Sequence, residues 1–264
     1  RLSMGIQTFN ESILKVLQRR HTARQAIEAF QNCRAAGFQN ISIDLMYGLP
    51  GETLSTWQQD LDQALLLHPE HLSAYHLIYE EDTVLWKLRE QHKVEEADED
   101  LSVSLFSTLI DRLTSEGYDH YEISNFSLPG LYSRHNSSYW TEKKYLGCGP
   151  SAHSYNGVSR QWNVASLDTY IKGISAGTPV FEIEELDLYT RYNDFVITRI
   201  RTEWGMPLSK LRDEFGEKLY DYCLRMAAPH LKQGTLELVN DILKLTRKGI
   251  FISDGIMSDM LWTD

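Results

Sequence analysis

Cysteine is scarce in this sequence of 264 residues, and its three cysteines lie far apart at positions 33, 148 and 223. The odd number, the wide spacing and the lack of any CxxC pair argue against a disulfide framework and favour a reducing compartment. Cys148 and His153 lack the partners that a zinc site needs, so we predict no metal site within this chain. We expect a cytoplasmic protein.

Positive charge and long apolar runs are also lacking. The chain has 26 Lys and Arg against 37 Asp and Glu, with a formal net charge of −11 and a pI of about 5.3. Nucleic-acid binding requires a basic face, so we predict no nucleic-acid partner. No run is long enough to cross a membrane as a helix, and no segment has the pattern of a signal peptide.

Strand and helix patterns alternate over the first ~80 residues. RLSMGIQTF, NISIDLMYG and HLSAYHLIYE are predicted strands, separated by helices over NESILKVLQRR, the segment from His21 to Gly37, and the segment after Thr53. Thr22 with Gln25 matches a capping box, and Thr53 is a plausible N-cap. This order predicts a βαβαβ arrangement with right-handed crossovers.

Later segments extend this core and then change in character. A helix ending at Gly117 and a fourth strand over YDHYEISNF are predicted, followed by an irregular stretch from ~127 to ~165. Within that stretch, LGCGPSAHSYNG is either another strand or a loop that enters one. Beyond ~180 the pattern reads helix, helix, helix, a hairpin at Asn240-Asp241, and helix, which is a winged-helix-like order. We therefore predict an α/β protein with domains at 1–180 and 181–264.

Polar residues fall where the predicted parallel strands end. Gln7 ends the first strand, Asp44 lies near the end of the second, and the pair Tyr75/His76 ends the third. Arg19, after the first helix, is within reach of the same rim. Such a set suits a ligand with a carboxylate, an amine and ribose hydroxyls. An internal Asp44–Arg19 ion pair that tethers a loop is an equal alternative at this point.

Two further clusters are open to two interpretations each. SRHNSSYW, with His135 and Asn136 beside Tyr139 and Trp140, suits a flat ligand or an axial metal position, or else a loop anchored by aromatic burial. The glycines of LGCGPSAHS permit close backbone approach to a ligand or a tight strand bend. The segment lacks the spacing of known phosphate loops.

Taken in order, the motifs resemble the oxygen-independent coproporphyrinogen III oxidase family of radical SAM proteins. The resemblance rests on RLSMGIQTFN, HTARQAIEAFQNCRAAGFQNISIDLMYGLPGET, HLSAYHLIYEEDT, YEISNFSLPGLYSRHNSSYW and YLGCGPSAHSYNG. The HNSSYW segment is more similar to the branch of radical SAM haem chaperones than to the oxidases.

This resemblance implies a partial (β/α) barrel with extra strands, followed by a small helical, winged-helix-like domain. It implies a [4Fe–4S] cluster and S-adenosylmethionine, whose reductive cleavage yields a radical; the cofactor supplies that chemistry and the protein orients it. Gln7, Arg19 and Asp44 match family positions that contact S-adenosylmethionine. Tyr75, Ile78 and His153 fall at or near further contact positions, and His135 is the candidate haem-related residue.

The family's cluster motif, CxxxCxxC, and its GGTP-type segment are absent from these residues. The resemblance therefore implies an N-terminally truncated fragment that begins at the fourth barrel strand, binds no cluster and is inactive alone, so we assign no catalytic residue. A half barrel exposes a sheet edge, which favours pairing with a second copy as a homodimer.

Three functions remain to be compared. The first is a haem chaperone that binds haem and S-adenosylmethionine and delivers haem to an acceptor protein. The second is the oxidase, which converts two propionates to vinyl groups. The third is a regulator that uses the winged-helix-like tail, which the acidic charge opposes.

Overall fold

The computed structural model describes residues 1–263, which form two compact units. The first unit spans Arg1–Ser133, and the second starts at Arg134. The structure divides the chain after Ser133, whereas the predicted domain boundary lies near residue 180. The predicted domains, 1–180 and 181–264, stay a prediction. None of the helices in the described residues is long and apolar enough to span a membrane.

The first unit is built on one mixed five-stranded sheet. Its strands are β1 (Leu2–Gln7), β2 (Ile41–Tyr47), β3 (His71–His76), β4 (Asp119–Glu122) and β5 (Asn125–Ser127), in the spatial order β1-β2-β3-β5-β4. The first three strands are parallel, as the βαβαβ pattern predicts, and β5 and β4 are antiparallel to their neighbours.

Five helices belong to this unit: α1 (Glu11–Val16), α2 (Ala23–Ala35), α3 (Leu54–Leu66), α4 (Val84–Glu90) and α5 (Glu99–Ser115). The predicted capping box of Thr22 and Gln25 is confirmed, and Thr53 caps α3 through a hydrogen bond from the Thr56 amide. These caps fix where α2 and α3 start, because they satisfy amides that have no partner within the helix.

The core of the first unit lies between the sheet and the helices α3 and α5. Alternate residues of β2 (Ile41, Ile43 and Leu45) are fully buried on one face, while on the other face Ser42 is buried and Asp44 and Met46 are partly exposed. The Trp57 indole N–H donates to the Leu105 carbonyl at 3.0 Å and joins the two helices. The two faces of β2 therefore differ, and Asp44 lies on the less buried one.

The segment YDHYEISNF forms two strands, so the prediction of a single fourth strand was wrong. The chain turns at Ile123 and Ser124, where the Glu122 carboxylate accepts hydrogen bonds from the Ser124 amide at 3.1 Å and from the Asn125 side chain. Alternation alone does not reveal such a turn, because the polar residues on both sides continue the period of two.

The second unit contains two three-stranded antiparallel sheets and six helices within the described residues. Its elements are α6 (Arg134–Trp140), β6 (His153–Tyr155), β7 (Ser159–Asn163), α7 (Leu167–Ser175), β8 (Phe181–Glu185), α8 (Leu188–Ile200), β9 (Met206–Pro207), α9 (Leu208–Gln233), β10 (Leu236–Val239), β11 (Ile242–Leu245), α10 (Arg247–Ile250) and α11 (Ser253–Met260). The sheet orders are β6-β7-β8 and β10-β11-β9.

Several predictions for this unit are confirmed and one is wrong. Helix α9 is interrupted at Gly216, where φ is 79°, which matches the two predicted helices. The hairpin turn at Asn240 and Asp241 has φ values of 50° and 69°. The stretch 127–165 is more regular than predicted, because α6 and β7 lie within it, while β6 agrees with the strand predicted as one alternative for LGCGPSAHSYNG. The α/β class is confirmed, while the half-barrel and winged-helix descriptions stay predictions.

Candidate functional site

Gln7 is the last residue of β1, and its side-chain amide lies over Gly5 of the same strand. The pairing of β1 with β2 shifts between Gly5 and Gln7, and Gln7 has a positive φ of 73°. A Cβ atom added to Gly5 would lie 2.6 Å from Nε2 of Gln7. Glycine at position 5 is therefore what lets the glutamine amide fold back over the strand.

Arg19 reaches the same place from the loop after α1. Its Nη2 atom donates to the Gly5 carbonyl at 3.2 Å and lies 3.4 Å from the position of an added Gly5 Cβ. The structure thus brings Gln7 and Arg19 together over Gly5, as the strand ends predict. An amide and a guanidinium at one rim provide several hydrogen-bond donors for an anionic group.

Asp44 lies directly opposite Gly5 in the parallel pairing of β1 and β2. Burial raises the pKa of its carboxyl, while hydrogen bonds from Ser73 and Ser3 and the charge of Arg1 lower it. The Ser3 hydroxyl is a distant donor at 3.5 Å. Among residues 1–263, Asp44 forms no ion pair with Arg19, whose guanidinium lies on the Gly5 carbonyl instead. The internal tether is therefore not formed.

The GLPG turn beside Asp44 is held by a carboxylate that sequence reasoning missed. Oε2 of Glu52 accepts hydrogen bonds from the Gly48 amide at 2.6 Å and the Leu49 amide at 3.2 Å. Glu52 is 5% exposed, and burial raises its pKa to about 7. Leu49 anchors the turn in an apolar cluster with Ile13 and Leu77. A glutamate four residues after a glycine turn is the signal that could have identified it.

The predicted pair Tyr75/His76 is divided between the two faces of the sheet. Tyr75 pairs with Met46 and is 43% exposed on the face of Asp44. His76 lies on the other face, where its ring atoms bond Ser102 at 3.0 Å and the Leu77 carbonyl at 2.9 Å. Adjacent residues of a strand point to opposite faces, so only Tyr75 shares the rim.

Ile78 and His153 are placed separately. Ile78 follows β3 in the first unit and is 71% exposed. His153 begins β6 in the second unit, and its ring stacks on Trp162 with a centroid distance of 5.8 Å. An added Cβ on Gly147 would lie 2.1 Å from the His153 carbonyl oxygen, so this glycine admits the chain's own backbone. The strand-bend interpretation of LGCGPSAHS is the better one.

The HNSSYW segment forms α6, with His135 on an exposed turn. Nε2 of His135 is 3.1 Å from the Tyr139 hydroxyl, and the two rings meet edge to face at 5.1 Å. Trp140 is anchored by the Arg201 guanidinium, 4.4 Å from its ring centroid. The anchored tryptophan agrees with the interpretation of this cluster as a segment held by an aromatic residue. The accessible histidine agrees with its interpretation as a ligand site.

A row of tyrosine rings leads from His135 into a cavity of the second unit. Tyr139 and Tyr145 are 4.9 Å apart between centroids, and Tyr145 and Tyr155 are 6.0 Å apart. All three tyrosines line a cavity of about 500 Å³. This volume is within the range of small-molecule and cofactor sites.

Charged groups surround this tyrosine-lined cavity in pairs. Burial opposes ionisation of Glu142, but hydrogen bonds from Lys210 at 2.7 Å and Arg199 at 2.8 Å hold its pKa below the usual value. Burial raises the pKa of Asp194 despite its contact with Arg160 at 2.6 Å.

Two further cations line the same cavity, Lys143 and Arg191. Neither forms an ion pair with an acidic side chain in the part of the chain that the structure describes. The residues that line the cavity include four cations and three carboxylates, the third being Glu214, so aromatic walls are combined with a net excess of one positive charge in a protein of net charge −11. This arrangement suits a planar ligand that carries acidic groups.

No group of three or more His, Cys, Asp or Glu side chains within residues 1–263 is arranged to hold a metal ion. The three cysteines are free thiols on separate elements, with Cys148 exposed and Cys223 buried. These thiols do not fit an iron–sulfur cluster, which requires three convergent cysteines in the predicted family.

Two family models match the chain. The model of the Radical SAM superfamily matches residues 1–64, which contain Gln7, Arg19 and Asp44. The model described as the HemN C-terminal domain matches residues 186–252, from the start of α8 to α10.

Curated relatives match over the whole chain. The protein named Heme chaperone HemW of Lactococcus lactis is 31% identical, and the match covers 100% of this chain and 69% of the relative. The HemW proteins of Bacillus subtilis and Mycobacterium tuberculosis are 29% and 32% identical over 99% of this chain. The chain spans 69% and 65% of the length of these two relatives.

A solved structure shares the fold. Coproporphyrinogen III oxidase HemN from Escherichia coli, described as a radical SAM enzyme, superimposes with a TM-score of 0.80 at 21% identity. The match covers 98% of this chain and 63% of that chain. The likeness to HemN shows the fold, and the identity to HemW shows the family. The chain belongs to the HemN-like family of radical SAM proteins that includes the haem chaperones HemW.

Proposed function

We propose that the full protein is a haem chaperone that binds haem and S-adenosylmethionine, and that the chain's two units each supply one of these sites. The observation that carries haem binding is the row of tyrosines that joins His135 to the cavity with excess cations. Three relatives that match 99–100% of this chain at 29–32% identity are named haem chaperones, which supports this function over the oxidase. Haem is a planar group with two acidic side chains.

His135 is the proposed axial ligand of the haem iron. Since the Tyr139 hydroxyl engages Nε2, iron would bind at Nδ1 or displace the tyrosine. Lys143 and Arg191 would receive the propionates, because they are the cavity cations without acidic partners among the described residues. The tyrosine rings would stack along the macrocycle.

The test for haem binding is a titration of the full-length protein followed by its absorbance spectrum. We expect His135→Ala to weaken haem binding by about 10-fold or more, because the variant lacks the proposed iron ligand. A tenfold loss of affinity corresponds to ~1.4 kcal/mol. His92→Ala is the matched control, since His92 is also exposed but lies in the first unit. If His135→Ala binds haem as tightly as the wild-type protein, His135 is not the ligand of the haem iron.

We propose that the rim of Gln7, Arg19 and Asp44 binds S-adenosylmethionine, whose cleavage supplies a radical in the enzymes of this superfamily. The residues fit such a ligand: the Arg19 fork suits its carboxylate, and the half-buried Asp44 accepts from hydroxyl or amine groups. Gln7 offers an amide that both donates and accepts. The thiols of this chain do not fit the cluster, and the proposed role of these three residues is to bind and orient the nucleotide.

The matching experiment measures S-adenosylmethionine affinity by calorimetry in the full-length protein. Asp44→Asn is expected to weaken binding by about 10- to 100-fold, because a hydrogen bond to a charged group contributes ~1.5–3 kcal/mol. Asp62→Asn, an exposed position on α3 paired with Arg112, is the control. Unchanged affinity of the Asp44→Asn variant would place the ligand elsewhere.

The oxidase is the second candidate, because the HemN fold is shared. Full-length protein with its cluster reconstituted would be incubated with coproporphyrinogen III and analysed for vinyl products. We expect none, and a rate equal to that of an oxidase would overturn the chaperone assignment. A haem-acceptor protein, self-pairing through the β1 edge and a cytoplasmic location belong to the same proposal.

A further inference from the structure

A row of polar side chains crosses the sheet of the first unit at the level of Asp44. In the strand pairing, Asp44 lies opposite Ser73, Ser73 opposite Asn125, and Asn125 opposite Glu122. Paired residues of neighbouring strands share a face, so this row starts at the proposed ligand rim and continues inwards. The polar positions of HLSAYH, taken two apart, were the sequence signal for it.

Burial shows that the inner part of the row does not contact a ligand. Ser73 is 4% exposed, Asn125 is 3% and Glu122 is 2%, whereas Asp44 is partly exposed. The Asn125 side chain donates to Oε2 of Glu122 at 2.5 Å, and Ser73 donates to Oδ1 of Asn125 at 3.0 Å. These bonds fix the amide with its oxygen toward Ser73.

Ser73 consequently has two acceptors for one hydroxyl hydrogen. The hydroxyl donates to Oδ1 of Asn125, and the second acceptor is the carboxylate of Asp44, which lies opposite Ser73 in the strand pairing and whose pKa a hydrogen bond from Ser73 lowers. Tyr75 lies two residues further along β3 on the same face, where burial raises the pKa of its hydroxyl and a hydrogen bond with Ser73 lowers it. The Asp44 carboxylate therefore competes with a fixed, buried amide for a single donor.

We propose that Ser73 is the positioning residue for Asp44, and that its choice between the Asp44 carboxylate and the buried Asn125 amide sets the orientation and charge of Asp44. When Asp44 is ionised, Ser73 donates to it and fixes one carboxylate oxygen. When Asp44 takes up a proton, the Ser73 hydrogen returns to Asn125, and the carboxyl group loses its directional contact with β3.

The other groups facing Asp44 have smaller effects on its pKa than Ser73. From β1, the Ser3 hydroxyl donates to Oδ1 of Asp44 at 3.5 Å and lowers the carboxyl pKa less than Ser73 does, and the charge of Arg1 lowers it least. Arg19 is held by the Gly5 carbonyl. On β3, burial and the charges of Asp44 and Glu122 raise the pKa of the Tyr75 hydroxyl, so this hydroxyl stays neutral.

The inference is tested by the carboxyl titration of Asp44, followed by carbon-13 NMR of the full-length protein without ligand. Ser73→Ala removes the donor, and we expect the pKa of Asp44 to rise by about 0.7 unit, the equivalent of one net hydrogen bond. Asn125→Ala removes the competing acceptor, so Ser73 donates to Asp44 alone and the pKa falls. A general loosening of the sheet would not raise the pKa of Asp44 in Ser73→Ala and lower it in Asn125→Ala.

Ser42→Ala is the matched control. Ser42 is buried on the same face of β2, but its hydroxyl bonds His71 at 2.8 Å and not Asp44. We expect the titration of Asp44 to be unchanged in this variant. An unchanged pKa in Ser73→Ala, or shifts of the same sign in Ser73→Ala and Asn125→Ala, would overturn the inference.

A second measurement separates this inference from the proposed ligand site, on which its functional consequence rests. We expect S-adenosylmethionine affinity to fall about fivefold in Ser73→Ala, and the fall to grow at lower pH as Asp44 protonates. If the NMR shifts occur but neither Ser73→Ala nor Asp44→Asn changes affinity, Ser73 still positions Asp44 and only the ligand assignment fails. If Ser73→Ala does not fold, the pKa of Asp44 in Asn125→Ala decides.

Discussion

Single glycines decide local packing on both faces of the sheet in the first unit, and two of them show how. Gly5 leaves the space that the Gln7 amide fills, and Gly48 leaves the space for His76. An added Cβ on Gly48 would lie 2.6 Å from Nε2 of His76, and the residue has a φ of +71°. Strain of backbone and crowding of a ring therefore coincide at this position.

Gly48→Ala is expected to lower the free energy of unfolding by about 2–4 kcal/mol, since it combines left-handed strain with a clash against a half-buried ring. Gly51→Ala is the matched control, because Gly51 has nearly the same φ, +72°, but nothing within 4 Å of an added Cβ. We expect about 1 kcal/mol for the control. Urea denaturation measures both, and equal losses would show that His76 moves without cost.

Glu52 predicts a pH dependence of stability. Its carboxyl has a pKa of about 7 in the folded state against 4.5 as the ordinary value. A raised pKa means that the folded state holds the proton more tightly, so stability is full below pH ~4.5 and is lost as pH rises to ~7. Glu52→Gln keeps an oxygen acceptor for the Gly48 and Leu49 amides but does not titrate.

The free energy of unfolding of Glu52→Gln relative to wild type should therefore rise by about 3 kcal/mol between pH 4.5 and 7.5. Denaturant titrations at both pH values measure the difference. Asp62→Asn, which alters an exposed carboxylate, controls for general effects of charge. A constant difference across the range would mean that Glu52 ionises normally in the fold.

Pairs of elements are joined by individual carboxylates in the second unit. Glu142, in the turn after α6, binds Arg199 of α8 and Lys210 of α9. Its backbone has a positive φ of 57°, and its carboxylate contacts one cation from each of the two helices. This three-membered link fixes one wall of the tyrosine-lined cavity, so the shape of the cavity depends on it.

Glu142→Gln is expected to destabilise the protein by about 2–3 kcal/mol at pH 7, because two cations lose their charged partner in a partly buried site. Since the pKa of Glu142 is lowered in the fold, its contribution is present at neutral pH and is lost as pH falls below its ordinary value of 4.5. The loss caused by the substitution should therefore shrink at pH 3.5, as measured by urea denaturation.

Glu214→Gln provides the comparison for Glu142→Gln. Glu214 contacts the same Lys210 at 3.4 Å, but four residues along one helix and with more exposure. Such pairs contribute ~0.3–0.5 kcal/mol, so this variant should unfold close to wild type. Similar losses in the two variants would show that Glu142 does not link α8 to α9.

The whole molecule is acidic, and this limits its partners. With a net charge of −11, the chain lacks the extended basic face that binds a phosphate backbone. The tyrosine-lined cavity, with a volume of about 500 Å³, is large enough for a small anion but not for a DNA duplex. The helical tail is thus expected to act in packing rather than in nucleic-acid recognition.

We expect no retardation of duplex DNA in a gel shift at low salt, where electrostatic attraction is strongest. A variant with Lys143 and Arg191 both changed to Ala should behave identically in this assay while its haem affinity falls. Tight binding of DNA by the wild-type chain, lost in the double variant, would revive the regulator as a function.

Sequence by itself determined the elements whose signals are local. The capping box of Thr22, the N-cap at Thr53, the break at Gly216 and the hairpin at Asn240 all depend on residues within one turn of each other. The strand ends also indicated that Gln7 and Arg19 share a rim. These features follow from backbone sterics and short hydrogen bonds, which neighbouring residues fix without distant contacts.

Only the tertiary structure decided which side chains pair across strands. It separated Asp44 from Arg19, placed Ser73 between Asp44 and Asn125, and divided YDHYEISNF into two strands. It also gathered Glu142, Arg199 and Lys210 from three elements. Register and long-range pairing depend on residues up to 69 positions apart, and no local pattern encodes which of several equivalent partners a polar side chain will reach.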